Sequence, residues 1–210
     1  MQITTIGLDL AKHWFQVHGV DANGRVVVRR RLWRSGVIAY FRSLEPCLVG
    51  MEACATAHYW ARELTALGYT VKLMPPAYVK AYVKRNKNDA ADAAAICEAV
   101  TRPSMRFVPV KNAEQQSVLM RHRARSLLVR QRTMLVNALR AHMAEFGIVA
   151  PQDFRHVGIL TKTIARQQEG LPELARSILQ TIIDQLNGTM ARIQEIEGRL
   201  AIWHRGTGFR

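Results

Sequence analysis

The proline-free second half of the chain is the feature that most restricts its fold. No proline occurs from Ala113 to Phe146, Gly147 follows that run, and a second long run begins after Pro172. Proline ends or kinks a helix, and glycine commonly follows a helix's last turn. The sequence therefore predicts long helices over residues 111–210.

Apolar residues recur every seven positions in both predicted helices. The second helix carries four of them, and the first carries three: Leu179, Leu186, Ile193 and Leu200, and Met120, Leu127 and Met134. A seven-residue repeat is typical of a coiled-coil seam. The pattern leaves two pairings open, one between helices of the same chain and one between copies of the chain. The second pairing predicts a homo-oligomer.

Residues 1–110 have a different pattern, which predicts a mixed α/β domain. Three strand candidates come first, over residues 3–10, 14–20 and 25–33, and short strands then alternate with helices. Ser35 and Thr56 are candidate caps at the starts of two of these helices. In this order the first and fourth strands can lie side by side. The fold class is α/β, followed by a coiled-coil extension of long helices.

The charge balance indicates a polyanionic partner. The chain has 30 Lys and Arg against 16 Asp and Glu, a formal net charge of +14. Such an excess most often serves nucleic-acid binding, the alternative being a generally basic surface. Three widely spaced cysteines argue against a disulfide scaffold or a zinc site and fit a reducing cytoplasm. The N-terminus does not resemble a signal peptide, and no apolar run is long enough for a membrane span.

Four acidic residues are candidates for a catalytic metal site. Asp9 and Glu52 end the first and fourth predicted strands, while Asp89 and Asp92 are spaced to share one helix face. Converging carboxylates repel one another unless cations lie between them, and oxygen ligands favour Mg²⁺ or Mn²⁺. Two such ions are the usual device for attacking a phosphodiester. Each acid alone is also typical of a turn or a helix cap. His58 is predicted to pack or to support the acids.

Two groups of basic residues are candidates for contacts with phosphates. The first group leads into the predicted acidic helix: Lys80, Lys84, Arg85 and Lys87. The second group forms two rows on the first long helix: Arg121, Arg125 and Arg132, and Arg123 and Arg130. Arginine rows suit phosphates, although the stems can also simply cover apolar surface on a solvated helix. Phosphate contacts do not distinguish sequences, so specificity must come from elsewhere.

Four stretches of the first 111 residues are particularly distinctive. They are MEACATAHYWAR from Met51, PPAYVK from Pro75, KRNKNDAADA from Lys84 and RPSMRFVPVK from Arg102. Together they resemble the DEDD insertion-sequence transposases, which include Piv/MooV-type DNA invertases and bridge-RNA-guided recombinases. The resemblance extends through residues 1 to about 150.

The resemblance implies a RuvC-like, RNase H-like fold for residues 1–110. It places the four family acids on Asp9, Glu52, Asp89 and Asp92, with Mg²⁺ as the metal. It also implies DNA and a structured guide RNA as partners.

Family members continue past the coiled coil into a second conserved domain, whose serine serves as the DNA nucleophile. No residue of this sequence matches that serine's motif. We therefore expect residues 111–210 to stop before the C-terminal transposase domain, and the chain to bind nucleic acid and divalent metal but to be inactive alone. The alternatives are a stand-alone RuvC-like metal-dependent nuclease, which needs no serine, and a non-catalytic nucleic-acid-binding remnant.

Overall fold

The computed structural model describes residues 2–82, 89–149 and 170–207. The chain divides into two compact units, unit 1 over residues 1–113 and unit 2 over residues 114–210. Three of the predicted basic residues, Lys84, Arg85 and Lys87, lie outside the described residues, as does the side chain of Asp89.

A five-stranded mixed sheet forms the centre of unit 1. Its strands are β1 (Thr5–Leu10), β2 (Trp14–Val20), β3 (Val26–Trp33), β4 (Leu48–Glu52) and β5 (Thr70–Met74). The spatial order is β3-β2-β1-β4-β5. The first three strands form an antiparallel meander, and β4 and β5 continue the sheet parallel to β1. The predicted adjacency of the first and fourth strands is confirmed.

Helices cover both faces of this sheet. Those described in unit 1 are α1 (Val37–Arg42), α2 (Ala57–Ala66), α3 (Pro76–Val79) and α4 (Asp89–Ala99), with 3-10 turns at Arg34–Gly36 and Lys80–Tyr82. On one face, Phe41 of α1 and Leu64 of α2 are fully buried in one cluster with Leu8 and Phe15 of the sheet. Alternating apolar residues in the strands supply this core, because successive strand side chains point to opposite faces.

The two predicted helix caps are wrong. Neither α1 nor α2 has a hydrogen bond from a side-chain cap, so Ser35 and Thr56 do not have that role. Thr56 instead has a φ of 71°, in the left-handed region. A residue with a Cβ reaches that region at a cost of about 1–2 kcal/mol. The tight connection from β4 into α2 therefore decides the conformation of Thr56.

Helix α4 lies directly against the other sheet face. A Cβ at Gly7 would lie 2.1 Å from the carbonyl oxygen of Ala93, and a Cβ at Gly50 would lie 2.7 Å from the Cβ of Val100. Glycine at these two positions therefore permits the close approach. The Cys97 thiol donates to the Thr5 carbonyl at 3.7 Å.

The direction of α4 follows from the residues around its last turns. Glu98 and Thr101 line one cavity with Thr4 and Thr5, at the amino end of β1. The start of α4 therefore points toward the carboxyl ends of β1 and β4. This orientation brings the acidic end of the helix toward the acidic ends of the two strands.

Two long helices, α5 (Ala113–Ala144) and α6 (Glu173–Thr207), form most of the described part of unit 2. Their contact forms a single buried cluster that includes two of the four heptad residues of α6, Leu179 and Leu186. The other members are Val136, Leu139 and Met143 of α5, Leu171, and Ile183 of α6. The heptad of α6 is thus buried within the chain, at least in part. Neither of these helices, nor any other described helix, is apolar enough to cross a membrane.

The seven-residue spacing in α5 does not mark its buried face. Met120, Leu127 and Met134 are 67%, 49% and 69% exposed. Helix α5 instead buries Val136, Leu139 and Met143, which share a different face at spacings of three and four residues. Packing against α6 decided which apolar face of α5 is covered. Association between copies of the chain stays a prediction.

We expect Gly7→Ala to lower the free energy of unfolding by about 3 kcal/mol, the upper end of the usual cost of overpacking. The reason is that the new Cβ would meet backbone atoms of α4, 2.1 Å from the Ala93 oxygen and 2.4 Å from the Cys97 nitrogen. Urea denaturation followed by circular dichroism measures the change.

Gly36→Ala is the matched control, because a Cβ at Gly36 would meet nothing within 4 Å. It should leave stability unchanged or raise it by up to about 1 kcal/mol through the unfolded state. Equal stability of Gly7→Ala and Gly36→Ala would contradict the close contact between α4 and β1.

Candidate metal centre and nucleic-acid interface

Asp9 and Glu52 lie next to each other at the carboxyl edge of the sheet. The parallel register pairs Leu8 of β1 with Met51 of β4, so the next residue on each strand is an acid. Directly opposite residues of neighbouring strands share a face, at a strand separation of about 4.8 Å. Both acids are half-buried. Their face is that of Gly7 and Gly50, two residues earlier, and this is the face that α4 covers.

Asp92 brings a third carboxylate toward this edge. It lies in the first turn of α4, immediately before Ala93, whose carbonyl lies over Gly7. One helical turn rises about 5.4 Å, and two strand residues span about 6.6 Å. From Ala93 back to the backbone of Asp89, α4 thus covers about the same distance, in the same direction, as β1 covers from Gly7 to Asp9. Asp92 is half-buried.

The thiol of Cys54 lies within the electrostatic influence of both strand acids. Burial raises the pKa of Cys54, and the charges of Glu52 and Asp9 raise it further. Among side chains that the structure describes, no three His, Cys, Asp or Glu residues already form a compact metal-binding group. The side chain of Asp89 is outside that set. The acids therefore share one edge of the sheet, and the closure of all four into a metal site stays a prediction.

A polar row continues from the acids across the sheet. Asp9 is paired with Gln16 of β2, and Gln16 with Arg31 of β3. Paired residues share a face, so Glu52, Asp9, Gln16 and Arg31 follow one another on four adjacent strands. Arg31 is exposed and lies two strand spacings, about 10 Å, from the position of Asp9. The charge of the side chains in this row changes from negative to positive toward β3, the strand at one edge of the sheet.

The predicted arginine rows of α5 differ in exposure. Arg123 and Arg130 are exposed, whereas Arg121, Arg125 and Arg132 are half-buried. The Nε of Arg125 donates to Glu197 of α6 at 2.7 Å. One row is thus solvent-facing, and the other is partly engaged in packing and pairing within unit 2. Of the four basic residues predicted before α4, only Lys80 is described, and it is exposed.

His58 is hydrogen-bonded to the chain segment that follows α4. Its Nδ1 accepts a hydrogen bond from the backbone N–H of Lys111 at 3.1 Å, and Arg62 donates to the Lys111 carbonyl at 2.8 Å. Burial lowers the pKa of His58, and the charges of Lys111 and Arg62 lower it further. The neutral ring is the form that can accept this bond. His58 thus has a structural role, in agreement with the packing interpretation.

The carboxyl edge also carries aromatic and basic residues, and apart from His13, which lies close to Asp9 in the sequence, sequence reasoning missed them. A cavity of about 710 Å³ opens there, and its lining includes Lys12, His13, Trp33, Arg34 and Tyr59. The segment RRRLWR at residues 29–34 interleaves cations with an indole and could have signalled this surface. Most of this segment belongs to a predicted strand, so its charges were interpreted as part of that strand and not as a binding surface.

The fold and the acidic edge define a class: a mixed α/β protein whose adjacent parallel strands end in carboxylates beneath the start of a helix. Comparison with known proteins gives the family. Residues 6–148 match the family model of the IS110-type DEDD transposases, described as "Transposase". The chain therefore belongs to this transposase family.

Named relatives cover nearly the whole chain. The chain is 51% identical over 208 residues to a protein named "Probable family 20 transposase" of Pseudomonas aeruginosa, covering 98% of this chain and 62% of that protein. It is 40% identical to the transposase for insertion sequence element IS1328 of Yersinia enterocolitica, covering 94% of this chain and 59% of the relative. The IS1111A transposase of Coxiella burnetii is 37% identical, with coverage of 94% and 55%. The chain thus spans between about half and three-fifths of these relatives.

Stability should fall as the pH falls through the range in which His58 titrates. The folded pKa of His58 is below its ordinary value of 6.5, so the unfolded chain binds the proton first. The neutral ring's contribution is present above pH 6.5 and is lost as the pH falls through the folded pKa. His18, whose pKa burial and Arg29 lower, acts in the same direction.

His58→Asn should flatten this dependence, because the Asn amide oxygen can still accept from Lys111 but does not titrate. Urea unfolding at several pH values between about 5 and 8 measures the slope. His18→Gln serves as a comparison and should remove a separate part of the dependence of stability on pH. An unchanged slope in His58→Asn would show that the Lys111 contact does not depend on the neutral ring.

Proposed function

We propose that this chain is the part of a transposase that binds DNA and divalent metal, with Asp9, Glu52, Asp89 and Asp92 as the metal-binding and catalytic acids. The observation that carries the proposal is the parallel register of β1 and β4. That register sets two half-buried carboxylates side by side. The start of α4 adds two more acids, and carboxylates grouped in this way favour a bound cation.

The fold name belongs to the same proposal. We infer an RNase H-like, RuvC-like fold for unit 1. Its support is the strand order β3-β2-β1-β4-β5, with three antiparallel strands followed by two parallel ones. The helix that lies over Gly7 and Gly50 adds to that support, because it directs Asp92 toward the carboxyl edge.

The residues at this edge fit Mg²⁺ or Mn²⁺. Carboxylate oxygens are the donors that these ions prefer, and Asp9, Glu52 and Asp92 are half-buried rather than fully solvated. Mutual repulsion keeps such acids apart until a cation offsets it, so closure around an ion is expected. When bound, Mg²⁺ supplies charge stabilisation at a phosphodiester and activation of the attacking oxygen. The acids' own part is to fix the position of the phosphate by fixing the ions.

The partner that fits the charge of the chain is DNA. The formal net charge is +14, and the exposed Arg123 and Arg130 and the exposed Lys80 offer cations to phosphates. The relatives are all named as transposases, two of them for insertion sequence elements, so we propose DNA transposition as the activity of the whole protein. We also propose that a structured guide RNA supplies the sequence specificity. Several copies of the chain assemble through the long helices, and the protein is located in the cytoplasm.

We expect Asp9→Asn and Asp92→Asn each to weaken Mn²⁺ binding at least about tenfold, the factor that corresponds to 1.4 kcal/mol. Each change removes one charged ligand. Isothermal titration calorimetry measures the affinity. The melting temperature of the wild type should also rise with metal, because a ligand that binds only the folded state stabilises it.

Glu98→Gln is the control from the same helix. Glu98 is exposed near the other end of α4 and pairs with Arg102. The control should bind Mn²⁺ with wild-type affinity. Equal affinity in Asp9→Asn, Asp92→Asn and wild type would remove the acids from the metal site.

The exposed arginine row should set part of the salt dependence of DNA binding. Each phosphate contact contributes about 0.9 to the slope of log K against log salt. Changing Arg123 and Arg130 together to Gln should therefore reduce that slope by up to about 1.8. Fluorescence anisotropy with a labelled DNA duplex at several KCl concentrations measures it.

Arg125→Gln is the matched control, because Glu197 already neutralises Arg125. Its effect on the slope should be smaller than half that of the double variant. If the single control lowers the slope as much as the pair, the DNA contacts lie on the Arg125 row and the exposed row is solvated.

A further inference from the structure

A cavity at the carboxyl edge of the sheet combines open aromatic rings with positive charge. Its walls come from the β1–β2 turn, the end of β3 and the first turn of α2, and we call it the aromatic cavity. The lining residues that the argument uses are Lys12, His13, Trp33, Arg34 and Tyr59. Its volume of about 710 Å³ lies within the usual range for small-molecule sites, about 300–1,000 Å³.

The rings of the aromatic cavity are unusually accessible for their size. Trp33 is 58% exposed and Tyr59 is 46% exposed. Trp14 stacks on Trp33, so its indole supports one side of the exposed ring. Large aromatic side chains normally contribute to a core, and an exposed, supported ring forms a flat platform instead. Nucleic-acid bases stack on such platforms, with little dependence on base identity.

Positive charge surrounds the platform. The guanidinium of Arg34 lies 5.3 Å from the ring centroid of Trp60, and that of Arg31 lies 4.6 Å from the ring centroid of Trp14. Lys12 adds an exposed ammonium in the β1–β2 turn. Among the described residues, none that lines this cavity is an Asp or a Glu. The surface therefore complements a ligand that has both flat rings and negative charge.

The aromatic cavity lies at the same edge as the acids. The three strands β1, β3 and β4 all run toward this edge, so Trp33 ends β3 where Asp9 and Glu52 end their strands. Lys12 and His13 follow Asp9 by three and four residues along the chain. A strand of nucleic acid whose phosphate lies at the acids would therefore have a neighbouring nucleotide within reach of Trp33.

We propose that the aromatic cavity binds an unpaired nucleotide of the DNA strand that flanks the phosphate held by the acids. The base stacks on Trp33, and Arg34 and Lys12 attract the adjoining phosphates. A base inside a duplex has both faces covered by its neighbours, so the nucleotide must leave the stack to use the ring. This inference rests on the proposed function for its position beside the acids, although the cavity's affinity for bases can be measured without metal.

The experiment compares two labelled strands with equal numbers of phosphates. One is a twelve-nucleotide oligodeoxyuridylate, and the other is the same backbone without bases. In metal-free buffer with EDTA, the 210-residue chain should bind the strand with bases at least about fivefold more tightly, since base stacking on aromatic side chains is worth that much or more. Fluorescence anisotropy gives both dissociation constants.

Trp33→Leu should bring the ratio of the two affinities close to one, whereas Trp33→Phe should keep most of the preference. Tyr59→Leu, which removes the second exposed ring, should lower the ratio in part and remains decisive if Trp33→Leu fails to fold by circular dichroism. Arg42→Gln removes an exposed charge at the end of α1 and should leave the ratio unchanged. Equal binding of both strands by the wild type would overturn the proposal.

Further measurements distinguish DNA from RNA as the ligand. They also distinguish a failure of the cavity proposal from a failure of the proposed function. An oligouridylate of the same length that binds more tightly than its deoxy counterpart would overturn the assignment to DNA. A ratio near one, together with metal binding that needs Asp9, would refute the cavity proposal and leave the proposed function intact. A preference for bases that needs Trp33, with no metal binding at all, would refute the acidic site and leave the cavity proposal intact.

Discussion

The contact between α4 and the sheet is the constraint on which the rest of unit 1 depends. Two glycines on adjacent parallel strands, Gly7 and Gly50, remove the side chains that would hold the helix away. Small residues in α4 complete the fit, and Ala93, Ile96 and Cys97 are buried. A helix held this closely has little freedom to slide or to rotate, because interiors are densely packed. Its first turn is thereby fixed above the ends of β1 and β4.

That geometry opposes the electrostatics of the residues that it brings near each other. Asp9 and Glu52 lie on neighbouring strands, and Asp92 projects from the helix toward the same edge. Packing of apolar and small residues holds this arrangement, although the carboxylates repel one another. The positive residues of β3, two strands away, add positive charge to the same face of the sheet.

Unit 2 shows how packing selects between faces that look equivalent in the sequence. Both long helices carry apolar residues seven positions apart. In α6 these residues are buried, whereas in α5 Met120 and Met134 face solvent and Val136 and Leu139 meet α6. The choice also engages Arg125 with Glu197 and leaves Arg123 and Arg130 exposed. The charged surface offered by α5 is thus a consequence of which face its partner helix covers.

The sequence by itself determined the local structure and the identity of the acids. Apolar runs and alternation located β1 to β3, the absence of proline located α5 and α6, and the order of elements predicted that β1 and β4 are neighbours. These are short-range signals, since each depends on backbone preference and side-chain period. The spacing of Asp89 and Asp92 on one helix was likewise readable without a structure.

Only the tertiary structure decided the relations between distant segments. The register that pairs Leu8 with Met51, the orientation of α4 and the bond from Lys111 to His58 all join residues far apart in the chain. So does the cavity that collects Lys12, Trp33 and Tyr59 from three elements. No local pattern encodes these contacts, because they depend on how complete elements pack. Packing, rather than propensity, therefore determined which charges and rings share the carboxyl edge.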